Sequence, residues 1–438
     1  MHADARILLA ACSLVACCLA AGAAADPPHR PSAFKSSESL VARGQAAFRY
    51  DNFGNQDFWG EALGLHRAIA GKANGGVGDG VSPQAALELG LKVDVDALPM
   101  PLRRAIQRGE VDLEDPAVTV ELLRLDAVVG VVGLFDDSDR FESIGITCAL
   151  CHSTVDDSFA PGIGRRLDGW ANRDLDVGAI IASAPSVAPF AQVLGVDEDT
   201  VREVLRSWGP GRFDAALILD GKAFRPDGET GATLIPPAFG LAGVNLHTFT
   251  GWGSVPYWNA FVAVLEMQGK GRFFDPRLQD SARFPVAAAN GFDDVQPERD
   301  LVTPRLPALH VYQLSLPAPK PPKGSFDKGA ARRGEELFAA DGKARCATCH
   351  VPPLFTEPGH GLHTPEEMGI DDFTASRSPT GMYRTTPLGG LWTHTKGGFY
   401  HDGRFETLED VVEHYDDLQS LGLSDREKRD LVEYLKSL

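Results

Sequence analysis

The sequence predicts a mainly α-helical protein built from two similar halves in tandem, with an insertion of helices and loops in the first half. Three observations lead to this prediction. The chain closes with an amphipathic helical pattern, a Cys-x-x-Cys-His string occurs twice, and short segments around each string recur in the other half. Because 43% of the 438 residues are hydrophobic, the chain has enough apolar side chains for a substantial core.

Composition and charge exclude several classes of protein. Acidic residues outnumber basic residues by 60 to 42, which gives a net charge of −18. A surface of this charge lacks the positive field that nucleic acid requires, so we expect no nucleic-acid partner. Beyond the first 25 residues, no uninterrupted apolar run reaches the roughly 18 residues needed to cross a membrane.

The first 25 residues have the pattern of an export signal. Arg6 precedes an apolar run from residue 7 to residue 21, and small residues up to Ala25 offer a cleavage site, which predicts a signal peptide over residues 1–25. Residues 14–17 (LVAC) also resemble a lipobox, in which case the signal ends at residue 16 and Cys17 carries a lipid anchor. Both alternatives predict an exported, periplasmic protein.

Four cysteines remain, and they form two pairs that are each followed by histidine. The two strings are Cys148, Ala149, Leu150, Cys151, His152 and Cys346, Ala347, Thr348, Cys349, His350. Thiols three residues apart reach the two vinyl groups on one edge of a porphyrin, and the adjacent imidazole reaches the iron. A disulfide or a redox pair does not need the trailing histidine, and a separation of 194 positions from His152 to Cys346 is unusual for one zinc site. The sequence therefore predicts two covalently bound haem c groups with His152 and His350 as iron ligands, and it does not resolve whether structural calcium also binds.

The segment before each string recurs. Residues 42–48 (ARGQAAF) resemble residues 332–338 (RRGEELF), which predicts a helix ahead of each string. The first string follows its helix after 100 residues and the second after 8, so about 90 residues are inserted, over about 50–146. The insertion contains a glycine-rich linker over residues 71–80 and a predicted helix over residues 118–134. Residues 424–438 predict a closing helix that begins with a capping box of Ser424 and Glu427 and packs on the helix at 332–338.

A second repeat lies after the strings and needs no gap. At an offset of 150 residues the matching pairs are Pro237 and Pro387, Leu241 and Leu391, Phe249 and Phe399, and Gly253 and Gly403. Helical apolar faces follow in the same phase, one ending at Leu265 and the other at Tyr415. The predicted domains are residues 26–316, which contain the insertion, and residues 317–438, with a proline-rich linker at 317–323.

The two strings and residues 383–415 together resemble the bacterial di-haem cytochrome c peroxidase superfamily, which includes MauG-type oxidases and, more distantly, rubber oxygenases. The most specific part is the segment from Phe399 to Phe405 (FYHDGRF). The resemblance does not extend to the insertion. It implies two cytochrome c-like haem domains, a C-terminal haem that transfers electrons, and an N-terminal haem with an open or displaceable sixth position where peroxide or dioxygen reacts.

The resemblance also implies a sixth ligand for the C-terminal haem. In the family this ligand lies fourteen residues after the histidine of the His-Asp-Gly segment, and counting from His401 reaches Tyr415. His414 and Met382 are alternatives, because imidazole is a commoner haem ligand than phenolate. The counterpart of Tyr415 in the first half is Leu265, which cannot coordinate iron, so the N-terminal haem is predicted to be open.

Chemistry at this open haem needs groups that move protons and electrons. Typical family peroxidases have an inhibitory histidine soon after the first string, whereas here no histidine occurs between His152 and His247. His247 remains an alternative sixth ligand of the N-terminal haem. We expect Glu266 and Gln268 to present a proton-transferring group. A tryptophan carries electrons between the haems in the family, and Trp252 is the candidate here.

These features predict an exported di-haem oxidoreductase that reduces hydrogen peroxide at the N-terminal haem, with electrons delivered through the C-terminal haem. The acidic surface would suit a small basic electron donor such as a cytochrome c. Two alternatives remain: MauG- or rubber-oxygenase-like oxidation of an organic or protein substrate, and electron transfer without substrate chemistry. Arg404 is expected to pair with a haem propionate or to form an ordinary ion pair.

Overall fold

The computed structural model describes residues 39–438 apart from Pro358 and His360. The predicted signal segment and Cys17 lie outside these residues. α-Helices dominate, which confirms the mainly α-helical class. The α-helices are α1 Leu40–Tyr50, α2 Leu65–Ala70, α3 Pro83–Glu88, α4 Met100–Gln107, α5 Pro116–Arg124, α6 Ala149–His152, α7 Val177–Ala182, α8 Ala188–Leu194, α9 Glu198–Arg206, α10 Leu217–Asp220, α11 Val255–Phe261, α12 Pro285–Asn290, α13 Leu306–Leu314, α14 Lys328–Phe338, α15 Pro365–Met368, α16 Phe373–Ser376, α17 Leu408–Gln419 and α18 Asp425–Lys436.

The strands are short and pair two by two. They are β1 Val93–Asp94, β2 Val131–Phe135, β3 Phe141–Ile146, β4 Ser153–Val155, β5 Ile163–Gly164, β6 Arg166–Asp168, β7 Arg212–Phe213, β8 Thr233–Leu234, β9 Phe273–Phe274, β10 Asp294–Val295, β11 Leu362–His363 and β12 Tyr383–Arg384. β1 pairs with β5 in parallel, and the antiparallel pairs are β2–β3, β4–β6, β7–β8, β9–β10 and β11–β12. π-Helical turns cover Asp57–Ala62 and Val262–Glu266, and short 3₁₀ turns complete the helical elements.

The helix before the first string, α1, packs against α13. Gly44 makes the close approach possible, because a Cβ there would overlap the carbonyl oxygen of Ala308 and lie 2.5 Å from Cβ of Tyr312. The ring of Phe48 meets that of Tyr312 edge to face at 5.6 Å. The sequence did not reveal α13 as the partner of α1.

The helix before the second string, α14, packs against α18 in the same way. A Cβ at Gly334 would overlap the carbonyl oxygen of Asp430 and lie 2.8 Å from Cβ of Tyr434. Phe338 meets Tyr434 edge to face at 5.1 Å, as Phe48 meets Tyr312. The predicted capping box of Ser424 and Glu427 begins α18. The predicted packing of the closing helix on the helix before the second string is therefore confirmed, and the same kind of helix pair occurs in both halves.

The predicted helix over residues 118–134 is wrong in its second half. Helix α5 ends at Arg124, and the chain then turns through Asp126, whose φ is 52°, and Gly130, whose φ is 81°. Residues 131–135 form β2, which pairs with β3. An apolar run of this length fits either element, and pairing with β3 decides for a strand.

Apolar side chains form three cores among the described residues. The first joins the insertion to residues 175–235, the second surrounds the α1–α13 pair and includes the segment from 252 to 309, and the third surrounds the α14–α18 pair. The insertion is thus an integral part of the first half. In the part of the chain that the structure describes, no helix has the length and apolar character needed to cross a membrane.

The glycine in α14 offers a test of the helix crossing. Gly334→Ala should lower the free energy of unfolding by about 1–3 kcal/mol, because the added methyl group separates two backbones in contact. Gly329→Ala in the same helix is the matched control, since its Cβ would meet nothing closer than 3.2 Å. Urea denaturation followed by far-UV circular dichroism measures both, and equal losses in the two variants would contradict the assigned contact.

Candidate haem sites

The first Cys-x-x-Cys-His string forms the single-turn helix α6, which is fixed on both sides by backbone contacts. A Cβ at Gly130 would overlap the backbone of Leu150, so only glycine allows the turn before β2 to approach α6. The backbone N–H of Asn172 donates to the carbonyl of Cys151, and the backbone N–H of Gly169 donates to the carbonyl of His152, each at 2.8 Å. The string is therefore held rigidly by the loop that follows it.

Both histidines of the strings have one ring nitrogen engaged in the same way. Nδ1 of His152 lies 3.1 Å from the carbonyl oxygen of Pro236, and Nδ1 of His350 lies 3.0 Å from that of Phe355. Because a carbonyl only accepts, each Nδ1 carries the proton and donates it. Each Nε2 therefore keeps its lone pair, and burial lowers the pKa of His152 to about 4, which holds the imidazole neutral. A neutral imidazole oriented through its other nitrogen is the state that binds a metal.

The cysteines do not match the alternative uses of a cysteine pair. All four thiols are free, and burial raises the pKa of Cys148 and of Cys151 to about 12, so these thiols are not poised for disulfide exchange. Within the described residues the two pairs do not converge on one metal position; the grouping of metal-binding type is Cys349, Glu357 and His363. Its thiol belongs to the second string, and thiol and imidazole are not ligands that calcium prefers.

A cavity of about 360 Å³ opens beside the first string, and Cys148, Cys151 and His152 form part of its wall. Much of the remaining wall is apolar and comes from the insertion. The apolar residues that the insertion contributes include Leu65, Ile69, Ala86, Leu87, Leu122, Leu123, Val131 and Ile144. A cavity of this size and lining suits a largely apolar cofactor or ligand.

Glu266 is an unusual polar residue in this cavity. The residue is half-buried, and its Oε1 is buried without a hydrogen-bond partner among the residues described. Burial, together with the nearby carboxylate of Asp214, raises the pKa of Glu266 to about 8. Glu266 therefore carries a proton at neutral pH and is able to give it up, which are the properties of a general acid and base.

A π-helical turn brings Glu266 to the cavity. The amide of Met267 donates to the carbonyl of Val262 at 2.7 Å, so the turn over Val262–Glu266 has one more residue than an α-helical turn. Val262 and Glu266 line the cavity, whereas Leu265 is buried in the second apolar core. The sequence repeat had aligned Leu265 with Tyr415, and the extra residue changes which side chain faces the cavity.

A buried ion cluster adjoins Glu266. Arg377, which comes from the second half, donates from Nε to Asp220 at 2.8 Å and from Nη1 to Asp214 at 3.1 Å. Asp214 and Arg377 both line the cavity. Burial raises the pKa of Asp214, while the charge of Arg377 opposes the shift. The acid in the cavity thus depends on a cation supplied by the other half of the chain.

The remaining predicted residues of the first site lie in different surroundings. Trp252 lines the cavity and stacks on Trp258, with centroids 4.9 Å apart and planes 6° apart, and the indole nitrogens of both lack a partner among the described residues. Gln268 donates from Nε2 to the carbonyl of Leu265 at 2.6 Å and is thereby turned back on its own helix end. His247 lines the cavity, but its Nε2 donates a hydrogen bond to the carbonyl oxygen of Val244 at 3.0 Å.

Near the second string, Tyr415 and His414 face different groups. Burial raises the pKa of Tyr415 to about 12. The hydroxyl of Tyr400 lowers this pKa, and the thiols of Cys346 and Cys349 raise it. Tyr415 is therefore close to the second string. Nε2 of His414 instead donates to a backbone carbonyl, that of residue 368, at 2.9 Å.

Two other residues considered for the second site have different positions. Met382 is half-buried directly before β12. Arg404 is bound by carboxylates: it donates from Nε to Asp402 at 3.0 Å and also pairs with Asp371. Of the two expectations for Arg404, the ion pair is the one found.

The buried groups fit a haem at each string. The paired thiols, the imidazoles oriented through Nδ1, and the apolar cavity at the first string are the features that covalent haem attachment requires. Sequence reasoning missed the carbonyls of Pro236 and Phe355 and the cluster around Arg377. No local spacing marks a carbonyl acceptor, and Arg377 lies 157 residues from Asp220.

Comparisons with known proteins give one significant curated relative. The chain is 29% identical over 280 residues to the methylamine utilization protein MauG of Methylorubrum extorquens, which covers 51% of this chain and 76% of MauG. A structure of hydrazine synthase from Kuenenia stuttgartiensis, pressurised with xenon, matches 50% of this chain and 76% of its own at 21% identity. Its TM-score of 0.29 does not establish a shared fold. No protein-family profile matches the chain.

The raised pKa of Glu266 predicts a pH dependence of stability. Between about pH 5 and pH 8 the folded protein keeps a proton that Glu266 releases on unfolding, so the free energy of unfolding falls as pH rises, by up to about 1.4 kcal/mol per pH unit. Glu266→Gln should remove this component, and Glu203→Gln at an exposed position should not. Urea denaturation at a series of pH values measures the free energy of unfolding. The prediction is refuted if this free energy changes with pH equally in wild type and in Glu266→Gln.

Proposed function

Because this chain is a relative of MauG in the di-haem cytochrome c peroxidase superfamily, we propose that it is an exported di-haem c-type oxidoreductase that reduces hydrogen peroxide. One observation carries the proposal: the first string, Glu266 and Trp252 share a single buried cavity. A haem c bound there supplies an iron for peroxide and electrons for the O–O bond. The residues around it have to bind peroxide, exclude water and move protons.

Glu266 is the group that moves protons in this proposal. Reduction of hydrogen peroxide takes two electrons and two protons and gives two molecules of water. Cleavage of the O–O bond requires that a proton leave the inner oxygen and reach the departing one. With a pKa of about 8 and a carboxyl oxygen without a partner among the described residues, Glu266 is partly ionised near pH 8, and its ionised form is able to accept that proton and return it.

Electrons are proposed to enter through the second haem and to reach the cavity by way of Trp252. Trp252 and Trp258 stack in the cavity wall, and their indole nitrogens lack partners among the described residues. We propose a small cytochrome c-like protein as the electron donor, because a chain with a net charge of −18 attracts a basic partner. Export accords with this role, since covalent haem attachment in bacteria takes place in an oxidising compartment.

For the C-terminal haem we propose Tyr415 as the sixth ligand. The hydroxyl of Tyr415 is buried near both thiols of the second string. The competing imidazole of His414 already uses Nε2 to bond a backbone carbonyl. Ligation through Nε2 of His414 would therefore break its hydrogen bond to the backbone, whereas ligation by Tyr415 would leave that bond in place.

A second candidate function is oxidation of an organic substrate at the same haem, as in the MauG and rubber-oxygenase branches. The observation that favours it is the apolar wall contributed by the insertion, including Leu65, Leu87 and Leu122. Hydrogen peroxide needs no such wall, whereas an apolar co-substrate is stabilised by one. Consumption of reduced cytochrome c distinguishes the two functions.

The peroxidase proposal predicts a spectral response and a loss on substitution. The oxidised protein should contain two haems, one of them high-spin, and peroxide should change the high-spin signal and drive oxidation of reduced cytochrome c. Glu266→Gln should slow the reaction with peroxide by about 10²–10⁴-fold, because the variant cannot accept a proton. Stopped-flow absorption and electron paramagnetic resonance (EPR) spectra measure these effects.

The exposed variant Glu203→Gln is the control and should react like wild type. Two low-spin haems that do not respond to peroxide would contradict both enzymatic functions and leave electron transfer alone. A high-spin haem that reacts with peroxide without consuming reduced cytochrome c would favour the organic-substrate function instead.

The ligand proposal makes a separate prediction. Tyr415→Phe should change the optical and EPR spectra of the C-terminal haem, because it removes the coordinating oxygen and keeps the ring. His414→Gln should leave those spectra unchanged, since Nε2 of His414 serves a backbone carbonyl. An unchanged spectrum in Tyr415→Phe, or a changed one in Met382→Leu, would place the ligand elsewhere.

A further inference from the structure

Two half-buried arginines of the first half have buried nitrogens that pair with no carboxylate among the described residues. In Arg173 both Nε and Nη1, and in Arg212 Nε, are buried without a hydrogen-bond partner in the described part of the chain. Nη2 of Arg212 donates to the backbone carbonyl of Asp402 at 3.0 Å, which leaves its charge uncompensated. Burial, together with the charge of Arg212, lowers the pKa of Arg173 to about 10. Two adjacent buried cations are unfavourable unless an anion joins them.

The neighbouring carboxylates are already paired with other cations. Asp174 bonds Lys92 at 2.7 Å and also pairs with Lys396. Asp402 pairs with Arg225 and with Arg404. The carboxylates of Asp174 and Asp402 are therefore engaged elsewhere, which leaves Arg173 and Arg212 available to the carboxylate of a bound group.

The position of the two arginines indicates which bound group this is. A Cβ at Gly397 would lie 3.6 Å from Nη1 of Arg173, and a Cβ at Gly403 would lie 3.1 Å from Nη2 of Arg212. Phe399 lies between these glycines in sequence and packs against the third core, as Cys346 of the second string also does. Arg173 and Arg212 thus reach a segment of the second half that packs against the same core as the second string.

His394 belongs to the same pocket. Burial and the charge of Arg173 lower the pKa of His394 to about 3, so the imidazole is neutral and offers an N–H donor without adding charge. Its ring stacks on that of Phe399 at 5.9 Å. The pocket therefore combines two guanidinium groups and a neutral donor, which suits a carboxylate.

One arginine of the second half, Arg384, lies beside the haem site of the first half. Arg384 lines the cavity beside the first string. It donates from Nε to the carbonyl of Thr248 at 2.5 Å and from Nη1 to that of Leu246 at 2.7 Å, so its bonds go to backbone and not to a carboxylate. Burial lowers the pKa of Arg384 to about 10, and no described carboxylate offsets this shift.

We propose that the propionates of each haem are neutralised by arginines of the opposite half: Arg173 and Arg212 receive a propionate of the haem on the second string, and Arg384 receives one of the haem on the first. This inference rests on the proposed di-haem function. Haem carries two propionate carboxylates, and the planar guanidinium of arginine binds a carboxylate through two parallel hydrogen bonds. The pairing joins the halves through their cofactors and sets the electrostatic field at each iron.

The field has a measurable sign. A cation beside a haem stabilises the reduced form, because reduction removes one positive charge from the iron. Arg173→Gln and Arg212→Gln should therefore raise the ratio of oxidised to reduced C-terminal haem about tenfold at a fixed electrode potential, a fall of about 59 mV for one electron. Arg384→Gln should do the same for the N-terminal haem and leave the C-terminal haem unchanged. Spectroelectrochemical titration measures both haems together.

Arg225→Gln is the matched control. Arg225 bonds the same Asp402 but has its own carboxylate partners, Asp227 and Asp371. A variant in which Cys346 and Cys349 are both replaced by alanine cannot attach the second haem, so the signals that it retains identify the N-terminal haem. Arg173→Lys keeps the charge and should keep the potential closer to that of wild type than Arg173→Gln does.

The outcomes separate this inference from the proposed function. Haem content is measured first, and a wild-type protein without two haems overturns the di-haem function itself. If two haems are present, the arginine assignment is overturned when the potentials of the arginine-to-glutamine variants equal those of Arg225→Gln. It is also overturned when Arg173→Gln shifts only the N-terminal haem, or when Arg384→Gln shifts only the C-terminal haem. Should a glutamine variant fail to fold, the propionate bending band in resonance Raman spectra of Arg173→Lys decides: a shifted band is expected, and a band unchanged from wild type refutes the pairing.

Discussion

The structure depends on a helix crossing that is closed through one glycine and that occurs once in each half. At Gly44 and at Gly334 the absence of a side chain lets two helix backbones touch, and an aromatic pair completes each contact. In the first half the chain leaves α1, passes through the whole insertion and returns, and Thr147 then donates to the carbonyl of Arg49 at 3.2 Å. The crossing therefore fixes the place to which the first string has to return.

Around this frame, the two halves share their buried charges. Arg377 crosses from the second half to hold Asp214 and Asp220 beside the first cavity. Removing one partner from such a cluster leaves an uncompensated buried charge, which costs far more than an exposed ion pair contributes. The acid in the cavity and the packing between the halves consequently depend on the same side chains, so a change that loosens one also alters the other.

The sequence was informative where chemistry is local and less so where distant residues decide. The Cys-x-x-Cys-His strings are read directly from the sequence, and the capping box that starts α18 follows from a fixed short spacing, so it could be predicted. Helix α13 was not found, because apolar residues occur on most of its sides. The extra residue of the π-turn before Met267 moved Glu266 into the position expected for Leu265, and no residue type marks such a turn. Partners such as Arg384 are set by tertiary packing, which a single sequence does not show.

The two helix crossings also imply an order of events during synthesis. Contacts across the first crossing join residues 267 positions apart, as between Gln45 and Tyr312, whereas those across the second join residues 97 apart, as between Arg333 and Asp430. Pairings across long loops form slowly. Until α13 has been made, the first half has no closing helix, although both cysteines of its string already exist. Under the proposed function, the first string would therefore stay accessible to haem attachment for longer than the second, and its haem would arrive before the walls of the cavity close.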